Sequence, residues 1–355
     1  MHISPFIPYK LLLHRDRIFS SLKGELVYPV SVEIDLSNVC PHDCPFCSFG
    51  TSTSQGYRQQ NWQTFPEPRI FTLLEELKSC GVKSVTFTGG GEPLVHRKAA
   101  EIFLKATALG LSWGLVTNGL LLPRVIDALS GATFVRISLD AGTPETHHKT
   151  HGLPVGQYQY DDIIDNIHAV REAYPLLTIG ASFCLMDENF KEVYKAAKDV
   201  RDAGGSYLEV RPTFPTEWRG DGWGHALSDA DGAKVEVDHA RLHLDTSTFQ
   251  VIGMAERFDA LATPEKQYSK CRVGPLTTVI GATGAIYHCC VQRGQPSFEV
   301  GSIRHQSFQD AWKEVHSLRM ADQIDVKRCP RCRYDGYNEI IEKGILDNRL
   351  HADFV

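Results

Sequence analysis

No long apolar run occurs in this 355-residue chain; the longest early one, Leu11-Leu12-Leu13, is too short for a membrane span or the core of a secretory signal. No surplus of positive charge occurs either. Lys and Arg number 37 against 43 Asp and Glu, a formal net charge of -6, and no basic run forms a patch. Nucleic acid and membrane are therefore not expected as partners. Composition is otherwise that of a soluble globular protein, 42% hydrophobic and 23% charged, long enough for a barrel-sized domain with an appendage. Ten cysteines in a chain this long, without a signal pattern, point to free thiols available for metal in a reducing, cytoplasmic compartment.

Three of those thiols fall within eight residues, Cys40-Pro41-His42-Asp43-Cys44-Pro45-Phe46-Cys47. A structural zinc ion takes four protein ligands, so this loop either borrows a fourth ligand, such as His42 or a distant cysteine, or holds a centre with one position open. Four more thiols, Cys271, Cys289, Cys329 and Cys332, gather near the C-terminus with Cys290 beside them. Neighbours on a strand face opposite ways, so one of Cys289 and Cys290 is expected to ligate. Zinc could take the same C-terminal sulfurs.

Between these groups the pattern alternates. Val32 to Leu36, Ser84 to Thr88, Trp113 to Thr117, Phe134 to Leu139, Leu177 to Phe183 and Tyr207 to Val210 read as strands. Helical faces intervene, such as Ile70, Leu73, Leu74 and Leu77. Six βα-type units imply an α/β fold with a parallel sheet, and six fall short of a complete eight-unit barrel. The expected architecture is a partial (β/α)6 TIM-type barrel with a small C-terminal α+β domain. Residues 1–30 form an extension, 31–213 the barrel, 214–262 a linker or insert, 263–340 the second domain, and 341–355 a tail. Runs at Thr277–Ile280 and Ile286–His288 around Gly284 read as a hairpin.

In parallel barrels chemistry sits at the C-terminal strand ends. Those ends carry Gly89-Gly90-Gly91-Glu92-Pro93, then Asn118, then Ser138 and Asp140, then Cys184, and finally Glu209 and Arg211. A helix cap is the ordinary role of an Asn or Ser in such places. The guanidinium of Arg211 suits a carboxylate.

The C-x3-C-x2-C loop, with Phe46 before its third cysteine and a Gly-Gly-Glu-Pro turn after the next strand, resembles the signature of the radical S-adenosylmethionine (radical SAM) superfamily. The pattern Cys271-x12-Gly284-x4-Cys289, followed by Cys329-x2-Cys332, resembles the SPASM and twitch auxiliary-cluster domains of that superfamily, and the shorter one-cluster twitch form in particular. The resemblance implies two [4Fe-4S] clusters, on Cys40, Cys44 and Cys47 and on Cys271, Cys289, Cys329 and Cys332. It also implies S-adenosylmethionine contacts from Phe46, Gly89 to Pro93, Asn118, Ser138, Asp140 and Arg211. Cys184 and Glu209 are the candidates for catalysis on substrate.

The implied chemistry is reductive cleavage of S-adenosylmethionine to a 5′-deoxyadenosyl radical, then hydrogen abstraction, fed by an electron donor such as flavodoxin or ferredoxin. A small polar metabolite of sugar, aminocyclitol or nucleoside type is the expected substrate, with oxidation, epimerisation, decarboxylation or dehydration as outcomes. The alternatives are a maturase of a ribosomal peptide and a zinc-dependent binding module. About 30 residues precede the first strand, too few for the winged-helix peptide-recognition domain of many such maturases, so a partner protein is expected to supply one in that case.

Overall fold

The computed structural model describes residues 8–47, 49, 64–212, 227–253, 266–291, 293–320, 324–329 and 332–346. One ten-stranded sheet organises them, in the order β10-β9-β8-β1-β2-β3-β4-β5-β6-β7. The strands are β1 Ser31–Asp35, β2 Ser84–Thr88, β3 Ser112–Thr117, β4 Ala132–Ser138, β5 Thr178–Leu185, β6 Tyr207–Pro212, β7 Gln250–Gly253, β8 Thr277–Ile280, β9 Ala285–Tyr287 and β10 Glu299–Ser302. From β8 through β1 to β7 every pairing is parallel, and β9 pairs antiparallel with both β8 and β10. Parallel strands are covered on both faces and so read as nearly continuous apolar runs. Thr178–Leu185 shows this, with Ile179, Ala181, Phe183 and Leu185 wholly buried.

Amphipathic helices supply the cover. The helix α1 spans Arg15–Leu22, and α2, Glu67–Ser79, buries the expected face of Ile70, Leu73, Leu74 and Leu77. Next come α3 Ala99–Ala108, α4 Pro144–Thr150, α5 Tyr160–Ala173 and α6 Val193–Asp202. The last of these packs Val193, Ala196, Ala197 and Val200 inward. A fully buried Leu or Ile contributes roughly 1.5–3 kcal/mol, so this continuous cluster is what holds the strand ends in place. No described helix is long and apolar enough to cross a membrane.

Two sequence expectations need correction. The described part of the 214–262 stretch is not a linker: α7, Ala230–Leu244, leads into β7, which pairs in parallel with β6 at Tyr207↔Gln250. Its apolar face is the sparse set Ala233, Val237, Ala240 and Leu244, too weak against polar neighbours to stand out. The expected C-terminal unit joins the same sheet. Its first strand, β8, lies beside β1 in parallel, Ser31↔Thr277 to Ile34↔Ile280, and so extends the barrel sheet. That pairing joins segments about 250 residues apart, which no local periodicity reveals. The run Leu121 to Leu129, whose sequence reads as a short helix, forms two 3-10 turns, Leu122–Arg124 and Ile126–Gly131.

Candidate active site

The chain leaves β1 at Asp35 and passes directly beneath the glycine turn that follows β2. Gly91 N donates to Ser37 O at 3.0 Å and Glu92 N to Val39 O at 2.8 Å. A Cβ on Gly91 would lie 2.3 Å from Val39 O, and one on Gly89 2.5 Å from Gly91 O. Only glycine permits this approach, so the cysteine loop and the turn are one unit.

Within the loop Cys47 N donates to Cys44 O at 2.9 Å and Asp43 N to His151 O at 3.1 Å. Cys40, Cys44 and Cys47 are each partly exposed, as is Phe46, and all ten cysteines are free of disulfides. His42 anchors the loop from below: its Nδ1 lies 2.9 Å from His151 Nδ1 and its Nε2 2.8 Å from Gln159 Oε1. His147 stacks on His151 with ring centroids 4.0 Å apart. Burial lowers His147 to about 3 and His151 well below its usual value, so both rings are neutral. Among the described residues, His42, Cys44 and His151 form the one group of three potential ligands whose donor atoms converge within 4.8 Å. Sequence reading named His42 but missed His147 and His151, whose i, i+4 spacing on α4 and its cap is a signal that could have found them.

Glu92 turns inward. Its Oε1 accepts from Thr117 Oγ1 at 2.7 Å and Leu94 N at 3.0 Å, and its Oε2 accepts from Asn118 N at 2.7 Å. It thus ties the β2 end to the β3 end, and Pro93 opens the short turn that follows. Asn118 Oδ1 caps Leu120 N at 3.1 Å, while its Nδ2 is buried with no hydrogen-bond partner among the described residues. A buried donor left over beside a glycine turn is what a bound ligand would satisfy.

At the β4 end Ser138 is partly buried, and Asp140 takes a left-handed φ of 51°, unusual for a non-glycine residue. Its Oδ1 accepts from Cys184 N at 2.7 Å, and its carbonyl from Asn189 Nδ2 at 2.9 Å. Burial pushes Asp140 up to about 6, against the Cys184 amide and the Arg211 charge. Arg211 lies opposite Cys184 in the β5–β6 register, and its Nε is 3.4 Å from the Cys184 sulfur. Burial raises that thiol to about 11. Glu209, expected beside Arg211, is buried and accepts from Arg136 at 3.0 Å. Cys184 and Arg211 are therefore brought together, whereas the carboxylates of Glu92, Asp140 and Glu209 are each engaged with the protein.

In the C-terminal unit Arg319 gathers the loops. It donates to Thr277 O and His288 O at 2.7 Å each, to Thr278 Oγ1 at 3.2 Å, and to Gly274 O. Cys271 lies 3.9 Å from Asn338 Nδ2. Cys332 N donates to Asp335, which also receives Lys266 at 2.8 Å and Tyr268 at 2.7 Å. Cys329 is partly exposed, 3.9 Å from Asp325 O. Burial pushes the Cys271 and Cys332 thiols up and Cys329 to about 11. Such thiols ionise only with a metal centre to neutralise them. Cys290 packs against Val279, Ala285 and Tyr287, and its thiol, pushed up to about 12 by burial, also feels the charges of Cys289, Arg293 and Cys332.

Residues 34–205 match the family model of the radical SAM superfamily, and residues 271–333 match that of the SPASM iron-sulfur cluster-binding domain. The PqqA peptide cyclase of Rhodopseudomonas palustris is 29% identical over 138 residues, covering 38% of this chain and 35% of the cyclase. The chain thus spans about a third of that relative's length. The sporulation killing factor maturation protein SkfB of Bacillus subtilis is 22% identical over 307 residues, 85% of this chain and 68% of SkfB. The structure of Streptococcus suis SuiB bound to S-adenosylmethionine shares the fold, with a TM-score of 0.66 at 15% identity over 88% of this chain and 73% of SuiB. The three-thiol loop, the glycine turn with its leftover donor and the second thiol group fit the cofactors these matches carry: the chain belongs to the radical SAM superfamily, with a C-terminal SPASM domain, and its cofactors are S-adenosylmethionine and iron-sulfur clusters.

Proposed function

We propose that this chain is a radical SAM maturase that modifies a peptide substrate. The observation that carries the reading is the SkfB match, which runs through 85% of the chain and joins a maturation protein to it. The PqqA peptide cyclase match points the same way. The small polar metabolite expected from sequence gives way to this reading, since the relatives named for peptide work favour the maturase alternative.

Cys40, Cys44 and Cys47 hold the first cluster in this reading, and the Gly89 to Glu92 turn, Asn118 Nδ2 and Arg211 receive S-adenosylmethionine. When bound, cluster and cofactor supply one-electron reduction and hydrogen-atom abstraction. The residues of the chain do the rest. Glycines let the backbone close on the cofactor, and Glu92 fixes the two strand ends against each other. The Arg211 fork faces a carboxylate. Cys184, neutral beside Arg211, offers a thiol rather than a thiolate to the substrate side. Cys271, Cys289, Cys329 and Cys332 hold an auxiliary cluster, and four protein ligands leave it to carry an electron or order the pocket. An external one-electron donor of flavodoxin or ferredoxin type feeds the first cluster.

The test is anaerobic incubation of reconstituted protein with S-adenosylmethionine, dithionite and synthetic peptides drawn from any short reading frames beside its gene. A peptide mass change together with 5′-deoxyadenosine is expected. Turnover of sugars or aminocyclitols, with every such peptide returned unchanged, overturns the reading.

A further inference from the structure

Arg293 lies three residues beyond Cys290, in the C-terminal unit, yet its side chain is buried against the N-terminal site. Its guanidinium pairs with Glu33 and lies 3.4 Å from Asp35 Oδ2, two carboxylates of β1. It reaches Gly89 O at 3.4 Å and stacks over Phe49, 5.6 Å from the ring centroid. A second arginine, Arg333, next to Cys332, pairs with the other oxygen of Glu33. Glu33 is 6% exposed, Asp35 0% and Arg293 5%. Two of the three cysteine-bearing segments of the C-terminal unit therefore place a cation on one strand of the barrel, the strand that feeds Cys40.

Arg293 touches three parts of the first site at once: the end of β1, the first glycine of the Gly89 to Glu92 turn, and the residue two beyond Cys47. The turn is in turn bonded to Ser37 and Val39, immediately before Cys40. Without Arg293 the wholly buried Asp35 loses its guanidinium and Glu33 keeps only Arg333, and an uncompensated buried carboxylate is among the costlier arrangements in a protein. The strand end and the turn would then have to move apart or admit water. A guanidinium that spans a carboxylate pair and a backbone carbonyl is also hard to replace, because the fork fixes direction as well as charge.

We propose that Arg293 is a positioning residue that couples the two halves of the chain: the auxiliary-cluster loop, when folded, holds Arg293 on Asp35, Glu33 and Gly89, and so sets the affinity of the glycine turn for S-adenosylmethionine. The inference rests on the proposed use of that turn as the S-adenosylmethionine site. Losing one charge-assisted contact network of this kind weakens binding about tenfold to a hundredfold.

The experiment measures S-adenosylmethionine binding to reconstituted holoprotein by equilibrium dialysis. Iron content is counted, and the change that S-adenosylmethionine makes in the electron paramagnetic resonance signal of the reduced first cluster is recorded. The variants are R293Q, R293K, C289A, the R293Q/C289A pair and D35N/R293Q, the last removing the buried charge imbalance so that the chain folds. R293Q and D35N/R293Q are expected to lose about tenfold or more in affinity, with iron retained and a weakened spectral response, and R293K to lie between them and the wild type. C289A should lose affinity too, but almost none in the R293Q background, because both changes break the same coupling. Wild-type affinity in D35N/R293Q, or losses from C289A and R293Q that simply multiply, overturns the inference while leaving the site assignment standing. A wild-type holoprotein that binds no S-adenosylmethionine overturns the site assignment, and the inference falls with it.

Discussion

Glu92 and Asn118, 26 positions apart, are joined by a 2.7 Å hydrogen bond from the Asn118 amide to Glu92 Oε2, and this bond locks the glycine turn to the end of the neighbouring strand. Thr117 and Leu94 complete the set. Replacing Glu92 by Ala strands three buried donors, each worth about 1–3 kcal/mol. E92A should therefore lower the melting temperature as well as S-adenosylmethionine affinity. E92Q turns an amide donor toward one of those donors and should show a smaller version of both. Thermal melts at equal iron content check this, and an E92A chain as stable as the wild type would count against the turn being organised by Glu92.

Asp35 is buried at the end of β1, and burial pushes it up to about 6 against the Arg293 charge and the Gly90 amide. A carboxyl raised above its unfolded value binds its proton more tightly when folded. Its stabilising contribution is therefore full at pH below about 4 and lost as pH rises through about 6. The stability of the wild type should fall relative to D35N as pH rises from about 4 to about 6, by on the order of 2 kcal/mol. Melting curves across that window test it, and a difference independent of pH would contradict the burial argument.

Arg211 Nε meets the Cys184 sulfur at 3.4 Å, and the thiol is held at about 11 by burial. Cys184 should resist iodoacetamide at pH about 8, since the thiolate is the reacting form. R211M should weaken S-adenosylmethionine binding about tenfold to a hundredfold, with iron content unchanged. Alkylation mapped by mass spectrometry and the binding constant of R211M read the two effects separately. Rapid labelling of Cys184, or unaltered affinity in R211M, would refute the arrangement.

Cys289 and Cys290 are adjacent, and Cys290 packs on Val279, Ala285 and Tyr287 while burial holds its thiol near 12. C290A should keep the iron of the wild type, whereas C271A, C289A, C329A and C332A should each lose the auxiliary cluster or open one of its irons. Iron counts and Mössbauer spectra of the five variants decide it. Loss of the second cluster from C290A but not from C289A would reverse the assignment.

Much of this was legible in the sequence because the barrel repeats one local pattern. Each of the six expected strands forms, within two residues at each end, since β-branched and apolar runs between amphipathic helices leave little choice. The glycine turn was legible for the same reason: Gly89 and Gly91 stand where a Cβ would strike backbone. What escaped depends on pairings far apart in the chain. The β1–β8 pairing, the Arg293 bridge to Glu33 and Asp35, and the His42–His151 contact join segments 109 to 260 residues apart, where no periodicity operates. Strand-end residues were placed correctly but their directions were not readable. Glu92, Asp140 and Glu209 have partners within the protein that only the packed strand ends create.

The central claim is that Cys40, Cys44 and Cys47 hold a cluster that works on S-adenosylmethionine. The most direct measurement is 5′-deoxyadenosine formed by anaerobically reconstituted protein with S-adenosylmethionine and dithionite, alongside iron and sulfide content. The wild type should be brown and form 5′-deoxyadenosine, while the C40A/C44A/C47A chain should keep about half the iron and form none. A colourless, zinc-loaded wild type, or 5′-deoxyadenosine from the triple variant, would contradict the account.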